Sequence, residues 1–316
     1  MFSYIIKRIL ILIPTWILLG ILIFFIINMI PGDPVAIMLG TESAENAEII
    51  RERMGLNKPI VERLGIWIFD LLRGDLGESY FLGRSVAQSI LERIPVTLSL
   101  AFFGMLFSVI IGIPLGILAS LKPNSLRDTS IMGFSLLGIS IPEFFLGLLL
   151  IYALSLGLNL FPSGGYSPLS RGAFSWIRSL FLPSLSIGII WSAYIARLMR
   201  SSMLEVLNQD FITTARAKGQ TEYIVVMKHA LRNGILPIVT AIGMIFALLL
   251  SGAFITEYLF RLPGAGSLII SSIKKRDYPV VQGGLLFFAS SILLVNLLVD
   301  ILYAFIDPRI KYGKKS

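Results

Sequence analysis

Six apolar runs, at residues 9–30, 97–119, 131–156, 180–199, 235–256 and 284–306, constrain the fold of this 316-residue chain more than any other feature. A helix needs about 20 apolar residues to cross a hydrocarbon core roughly 30 Å thick, and inside that core each backbone N–H and C=O must find its partner within the protein. The runs therefore predict an all-α polytopic membrane protein with six transmembrane helices. Composition agrees: 55% of the residues are hydrophobic, 15% are charged, and mean hydropathy is +0.83, well beyond an ordinary soluble domain. Gly112 with Pro114, Gly138 with Pro142, Pro183, and Gly243 interrupt the runs and predict kinks, because neighbouring helices can satisfy the freed backbone groups. The first run follows Lys7 and Arg8 as a secretory leader would. Its 22 residues and the lack of an A-x-A cleavage pattern predict a retained span instead.

Charge placement sets the orientation. With both termini on the cytoplasmic side, the inner segments hold fourteen Lys and Arg and the short outer ones six, which is the positive-inside pattern. The long loop at 31–96 carries ten acids against seven bases and suits the outer side. The net charge of +8 is accounted for by span ends facing anionic lipid, so nucleic-acid binding is not expected. With no Cys, disulfides, thiol catalysis and Cys-ligated metals are excluded.

The chain divides into a first segment and span at 1–30, an extracytoplasmic helical loop at 31–94, a core of five spans at 95–306, and a tail at 307–316. In the loop, Ala44 to Met54 reads as a helix ended by Gly55, and Val61 to Leu72 as another after Pro59. Such an ordered loop suits either a cap that receives a solute carrier or a brace for the first span. Asp33, between Gly32 and Pro34, reads as turn chemistry.

Between the fourth and fifth spans lies a polar stretch, residues 200–234, too short and too polar to cross a bilayer. Ser202 to Glu205 form an S-x-x-E capping box, which predicts a helix start; Gly219 supplies the left-handed residue that ends it. Arg216 and Lys218 load positive charge into the last turn. A second helix is expected from Thr221 to Asn233-Gly234, ahead of Pro237. The prediction is a helix-turn-helix hairpin held at both ends by membrane spans.

The core of this hairpin, Thr213-Thr214-Ala215-Arg216-Ala217-Lys218-Gly219, followed by His229-Ala230-Leu231-Arg232-Asn233 and Leu236-Pro237, resembles the coupling loop of binding-protein-dependent ABC importer permeases. More narrowly, it is similar to B-type permease subunits of the dipeptide, oligopeptide and nickel branch. Thr213 and Thr214 stand where the broad E-A-A-x-x-x-G pattern has Glu and Ala, and the branch commonly reads T-A-R-A-K-G. Ile30-Pro31-Gly32-Asp33-Pro34, Gly74-Asp75-Leu76-Gly77 with Ser79, Arg276 to Gly284, and Asp307-Pro308-Arg309 match the branch as well.

This resemblance implies a type I importer permease fold and a set of partners: a second, similar permease, two ATPase subunits carrying ATP and Mg, an extracytoplasmic solute-binding protein, and a peptide cargo, all in a prokaryotic plasma membrane. Nickel chelates, glutathione and oligosaccharides are alternative cargoes. It also implies that Thr213, Thr214, Ala215, Arg216, Lys218 and Gly219 form the ATPase-coupling element, with Gly219 permitting the turn, Ala215 the close approach, and the two charges its polar rim.

The residues themselves show no catalytic, cofactor or metal constellation. No G-x-x-x-x-G-K-[ST] loop is present to cradle ATP phosphates, so the chain is not expected to be an enzyme. The lone His229 cannot complete a His-rich metal site or a hydrolase triad, and reads as a packing and hydrogen-bonding residue of the hairpin. Glu143 after Pro142 lies inside the third span and has two readings: a pathway or gating carboxylate, or a kink-associated side chain bonded to a neighbouring helix or water. Asp300 reads as structural; Arg197 and Glu257 lie near span ends, from where they are expected to reach the interface. So few buried carboxylates argue against a partner-independent, ion-coupled carrier, the competing class of function.

Overall fold

The computed structural model describes residues 2–29, 35 and 44–306. In chain order the helices are α1 (Phe2–Met29), α2 (Ala44–Arg53), α3 (Ile60–Leu72), α4 (Val86–Leu91), α5 (Ile94–Ser120), α6 (Leu126–Ser140), α7 (Glu143–Gly157), α8 (Ala173–Leu207), α9 (Asp210–Ala217), α10 (Glu222–Gly234), α11 (Leu236–Gly252), α12 (Phe254–Leu259), α13 (Ala265–Lys275) and α14 (Tyr278–Ile306). The described residues contain no strand, only an isolated antiparallel bridge between Glu78 and Ser85. The motifs Ile30-Pro31-Gly32-Asp33-Pro34 and Asp307-Pro308-Arg309, the tail at 307–316 and the side chain of Asp300 lie outside what is described.

Four helical stretches are long and apolar enough to cross a membrane, and the pairs α6+α7 and α10+α11 bring the number to six if each bent pair is one span. The core is built on α5 against α8. Gly104, Ser108, Gly112 and Gly116 form a stripe of small residues at every fourth position of α5, and Ser184, Gly188, Ser192 and Ala196 form a matching stripe on α8. A residue every four positions returns to nearly the same face, so two such stripes let the backbones approach closely, the usual way helices associate where lipid removes the hydrophobic drive. The approach is tight. A Cβ at Gly112 would lie 2.7 Å from the Ser192 carbonyl oxygen, and one at Gly116 would lie 2.6 Å from that of Ala196. Ser108 and Ser192 return their hydroxyls to the carbonyls of Gly104 and Ile189 on their own helices, so the stripe stays small without leaving those polar groups unpaired.

α14 packs on α1 and α11, and Trp16 of α1 donates to Ser290 of α14 at 2.6 Å. The expected helices of the long loop are present. Gly55 follows α2 with φ +65°, and α3 starts after Pro59. α3 lies alongside α1, with Trp67 against Gly20 and Phe24, while Val61, Phe69 and Leu72 stay exposed. Its Trp67 contact places it beside the first span.

Pro114 and Pro183 sit within uninterrupted helices, but at Pro142 the third span breaks outright, α6 and α7 meeting at 104°. Proline disfavours helical backbone in the residue before it, and here Ile141 (ψ 126°) and Pro142 (ψ 138°) are both extended, so two residues redirect the chain. The 15 residues of α6 rise only about 22 Å, less than a full hydrocarbon core.

The seam predicts a reversal of the ordinary glycine rule. Gly→Ala inside a helix usually stabilises by up to about 1 kcal/mol. Gly112→Ala should instead destabilise, by roughly 1–3 kcal/mol of overpacking, whereas Gly133→Ala on α6, where an added Cβ meets nothing within 4 Å, should follow the ordinary rule. Thermal unfolding of the two variants in the same detergent checks the sign of each.

Candidate coupling hairpin and the opposite-end carboxylates

The hairpin forms, but not from the capping box. Ser202 lies inside α8, which runs on to Leu207, and its hydroxyl donates to the Gly234 carbonyl at 2.8 Å. Ser202 is buried and Met203 fully so against the main core, and burial of that face carries the helix past the predicted start. The chain turns at Asn208 and extended Gln209, and the first hairpin helix is α9, with Asp210 in its first turn and Arg216 in its last, both suited to the helix dipole. Gly219 then takes φ +77°, as expected, and its N–H closes on the Arg216 carbonyl at 2.9 Å. Thr221, in extended conformation, opens α10, whose turns over Val225–Ala230 are π-helical.

Two faces emerge. Ile212 and Ala215, three residues apart on α9, and Val225, Val226 and Ala230 on α10 are buried in the same core as Ile195 and Met199 of α8. Helical period turns Ala215 inward with Ile212, where it seats the hairpin on the bundle. Thr213, Thr214, Lys218 and Gly219 are exposed. Arg216 is exposed too, but it is engaged: its Nε and Nη2 donate to Glu222 at 2.7 and 3.3 Å, stapling the end of α9 to the start of α10 across the turn. His229 Nε2 lies 2.7 Å from Gln220 Oε1, a second staple, in keeping with the hydrogen-bonding role expected of it. Sequence reading missed the apolar part of the outer face, Phe211, Tyr223 and Met227, which stay exposed at 43%, 74% and 42%. Their signal was available: large apolar residues out of phase with the buried set in a polar segment are candidates for contact with another protein.

At the opposite end of α5 and α8, three carboxylates lock the loops. Glu257 of α12 was expected to reach the interface, yet it is fully buried. Its carboxylate accepts from Thr97 Oγ1 at 2.6 Å and from the backbone N–H groups of Ser267, at 2.9 Å, and Gly266, so it caps the start of α13. Ala265 N–H in turn donates to Thr97 Oγ1 at 3.0 Å. A side chain at Gly264 would run into the carboxylate and one at Gly266 into Phe254, which explains why this turn reads Pro263-Gly264-Ala265-Gly266. Glu143, at the first position of α7, accepts from Thr256, the residue next to Glu257; the neighbouring-helix bond is the reading the contact favours. Asp277 accepts from Ser79 Oγ at 2.5 Å and Tyr80 N–H at 3.1 Å, joining two motifs that are nearly 200 residues apart. Burial there pushes the Tyr80 phenol up to about 12. Among the described residues no group of three His, Cys, Asp or Glu is placed to hold a metal ion.

A family model described as binding-protein-dependent transport system inner membrane component matches residues 112–312, and its N-terminal companion matches residues 1–101. A putative peptide transport system permease protein of Brucella abortus (strain 2308) is 42% identical over 313 residues, covering 99% of this chain and 100% of the relative. The glutathione transport system permease protein GsiC of Escherichia coli (strain K12) is 41% identical over 313 residues, again covering 99% and 100%. Among solved structures, an inward-facing MetNI methionine ABC transporter chain superposes with a TM-score of 0.58 at 18% identity, over 70% of this chain and 97% of that one.

Removing the buried cap tests its weight. Glu257→Ala leaves the Thr97 O–H and two backbone N–H groups without their acceptor, at about 1–3 kcal/mol each. We expect a marked fall in Tm in detergent, while Glu78→Ala, an exposed acid of the same end, changes it little.

Proposed function

We propose, for a chain that belongs to the family of binding-protein-dependent transport system inner membrane components, that its hairpin is the element through which partner ATPases drive the spans. The chain is a permease subunit of an ATP-driven ABC importer, embedded in a bacterial inner membrane and working with ATPase and binding-protein partners. Its relatives include peptide and glutathione permeases, and we assign it di- or oligopeptides as cargo, with glutathione the nearest alternative. We further assign it a second, homologous permease to complete the pathway, two ATPase subunits holding ATP and Mg, and an orientation with both termini and the hairpin in the cytoplasm.

The observation that carries the coupling role is the two-faced hairpin. Its inner residues share one core with α8, and Ser202 ties α8 to the last residue of α10, so a push on the hairpin cannot be absorbed locally and must move α8 and α11. Its outer face offers Phe211, Tyr223 and Met227 among the polar Thr213, Thr214 and Lys218, the composition of a docking surface. ATP binding would close the ATPases and swing the pathway outward to receive solute; hydrolysis and release would reset it. The work available equals the difference in nucleotide affinity between the two conformations.

Two experiments check this reading. Gly219→Val places a β-branched residue at φ +77°, a strain of about 1–2 kcal/mol with no crowding inside the chain, so insertion should survive while ATPase co-purification and uptake fall together. Normal co-purification and uptake would remove the hairpin from the mechanism. Since the chain has no native cysteine, Ser170→Cys and Gln220→Cys, both at exposed positions, should label from opposite sides with a membrane-impermeant thiol reagent; labelling from one side refutes the orientation.

A further inference from the structure

At the hairpin end of the bundle, α6 and α8 line an open cavity of about 470 Å³ that has no part in the coupling role proposed above. Its polar rim is Arg197, Arg200, Asp128 and Thr129, and its wall is Met132 and Leu136. Arg200 is committed: its Nε and Nη2 each lie 2.6 Å from one oxygen of Asp128, which also accepts from Asn124 N–H. That fork neutralises the only acid of the cavity. Arg197, one turn earlier on α8 and exposed, pairs with no acid among the described residues, so the cavity holds one uncompensated positive charge.

The apolar side is equally one-sided. Leu136 is 63% exposed, and the backbone of Gly133 is open, with nothing within 4 Å of where a Cβ would stand. Below the charges there is thus a shallow groove along α6 leading away from the hairpin into the apolar band. Asp128 lies in the first turn of α6, and Tyr194, a ring of the kind enriched at headgroup level, is exposed one turn from Arg197 on α8. A guanidinium matches the geometry of carboxylate and phosphate alike; with the one carboxylate of the cavity already held by Arg200, a phosphate beside Arg197 and a chain of methylenes in the groove suit what is left open.

We propose that this cavity is a binding site for an anionic phospholipid of the hairpin-side leaflet, with Arg197 on the phosphate, the Thr129 hydroxyl as a further donor, and one acyl chain lying over Gly133 against Leu136. Arg200, locked by Asp128 into a neutral pair, shapes the rim, and the attraction for the phosphate comes from Arg197. The site ties lipid composition to the contact between α6 and α8, the two helices that flank the third-span break and the hairpin.

The test is native mass spectrometry of the full chain, alone and assembled with its partners, released from nanodiscs of equimolar phosphatidylglycerol and phosphatidylcholine. We expect retained phosphatidylglycerol to exceed phosphatidylcholine by about fivefold, the contribution of one Lys or Arg near an anionic surface. Arg197→Gln should bring the ratio close to one, and Gly133→Phe, which fills the groove and leaves all charges in place, should lower retention of both lipids. Should Arg197→Gln fail to insert, Gly133→Phe decides by itself. Equal retention of the two lipids, an unchanged ratio in Arg197→Gln, or displacement of lipid by millimolar inorganic phosphate would overturn the proposal, the last by showing a phosphate-only site. Loss of the lipid on assembly would overturn it too, by showing that a partner subunit covers the groove.

Discussion

The approach of α5 to α8 along two stripes of small residues is the contact on which the other elements depend. In lipid, apolar side chains gain nothing by leaving one apolar surround for another, so stability comes from close fit and from backbone groups brought within reach. Gly104, Ser108, Gly112 and Gly116 facing Ser184, Gly188, Ser192 and Ala196 provide that fit over about three turns. The pair is therefore rigid, and both functional ends of the molecule are extensions of it. The hairpin grows from the last turns of α8 and returns to it through Ser202 and Gly234, while the opposite-end turn is fastened to the first turn of α5 through Thr97 and Glu257.

This arrangement explains why polar residues are deeply buried in so apolar a chain. A buried carboxylate without partners would cost far more than the interior could return. Glu257 is tolerated because it satisfies two N–H groups that a helix start would otherwise leave open, and because Thr97 bridges it to Ala265. Asp277 does similar service for Ser79 and Tyr80. These are structural carboxylates, and they hold the loops of one end while the hairpin at the other end presents its free face.

Much of this was legible in the sequence. Hydropathy located six runs that each overlap a helix or a bent helix pair, although α8 begins seven residues before its predicted span and ends eight after it; Gly219 and Thr221 marked the turn, because left-handed backbone and extended N-caps have few chemical solutions. What failed did so for tertiary reasons. The S-x-x-E at Ser202 is a sound local signal, but burial of Met203 outweighs it. Glu257 was placed near a span end by counting residues, and counting cannot show that the chain folds back over it. The break at Pro142 exceeds a kink because Ile141 and Pro142 are both extended, a backbone choice that neighbours on α8 and α12 settle. The small-residue stripes were visible in principle at a period of four; they read as scattered glycines until the two helices are set side by side.

Those stripes also impose an order of events during synthesis. Gly112 and its partner Ser192 are separated by about 80 residues of chain, and at roughly 5–20 residues per second α5 waits several seconds in the membrane before the complementary face of α8 exists. During that interval its glycine face is open to any other small-residue helix passing in the bilayer. The intervening α6 and α7 emerge first, and the third-span break keeps α7 turned away from the line of α6. Biogenesis of the subunit is thus a matter of timing as much as of stability, and slow translation across residues 121–172 lengthens the window in which the half-seam has no partner.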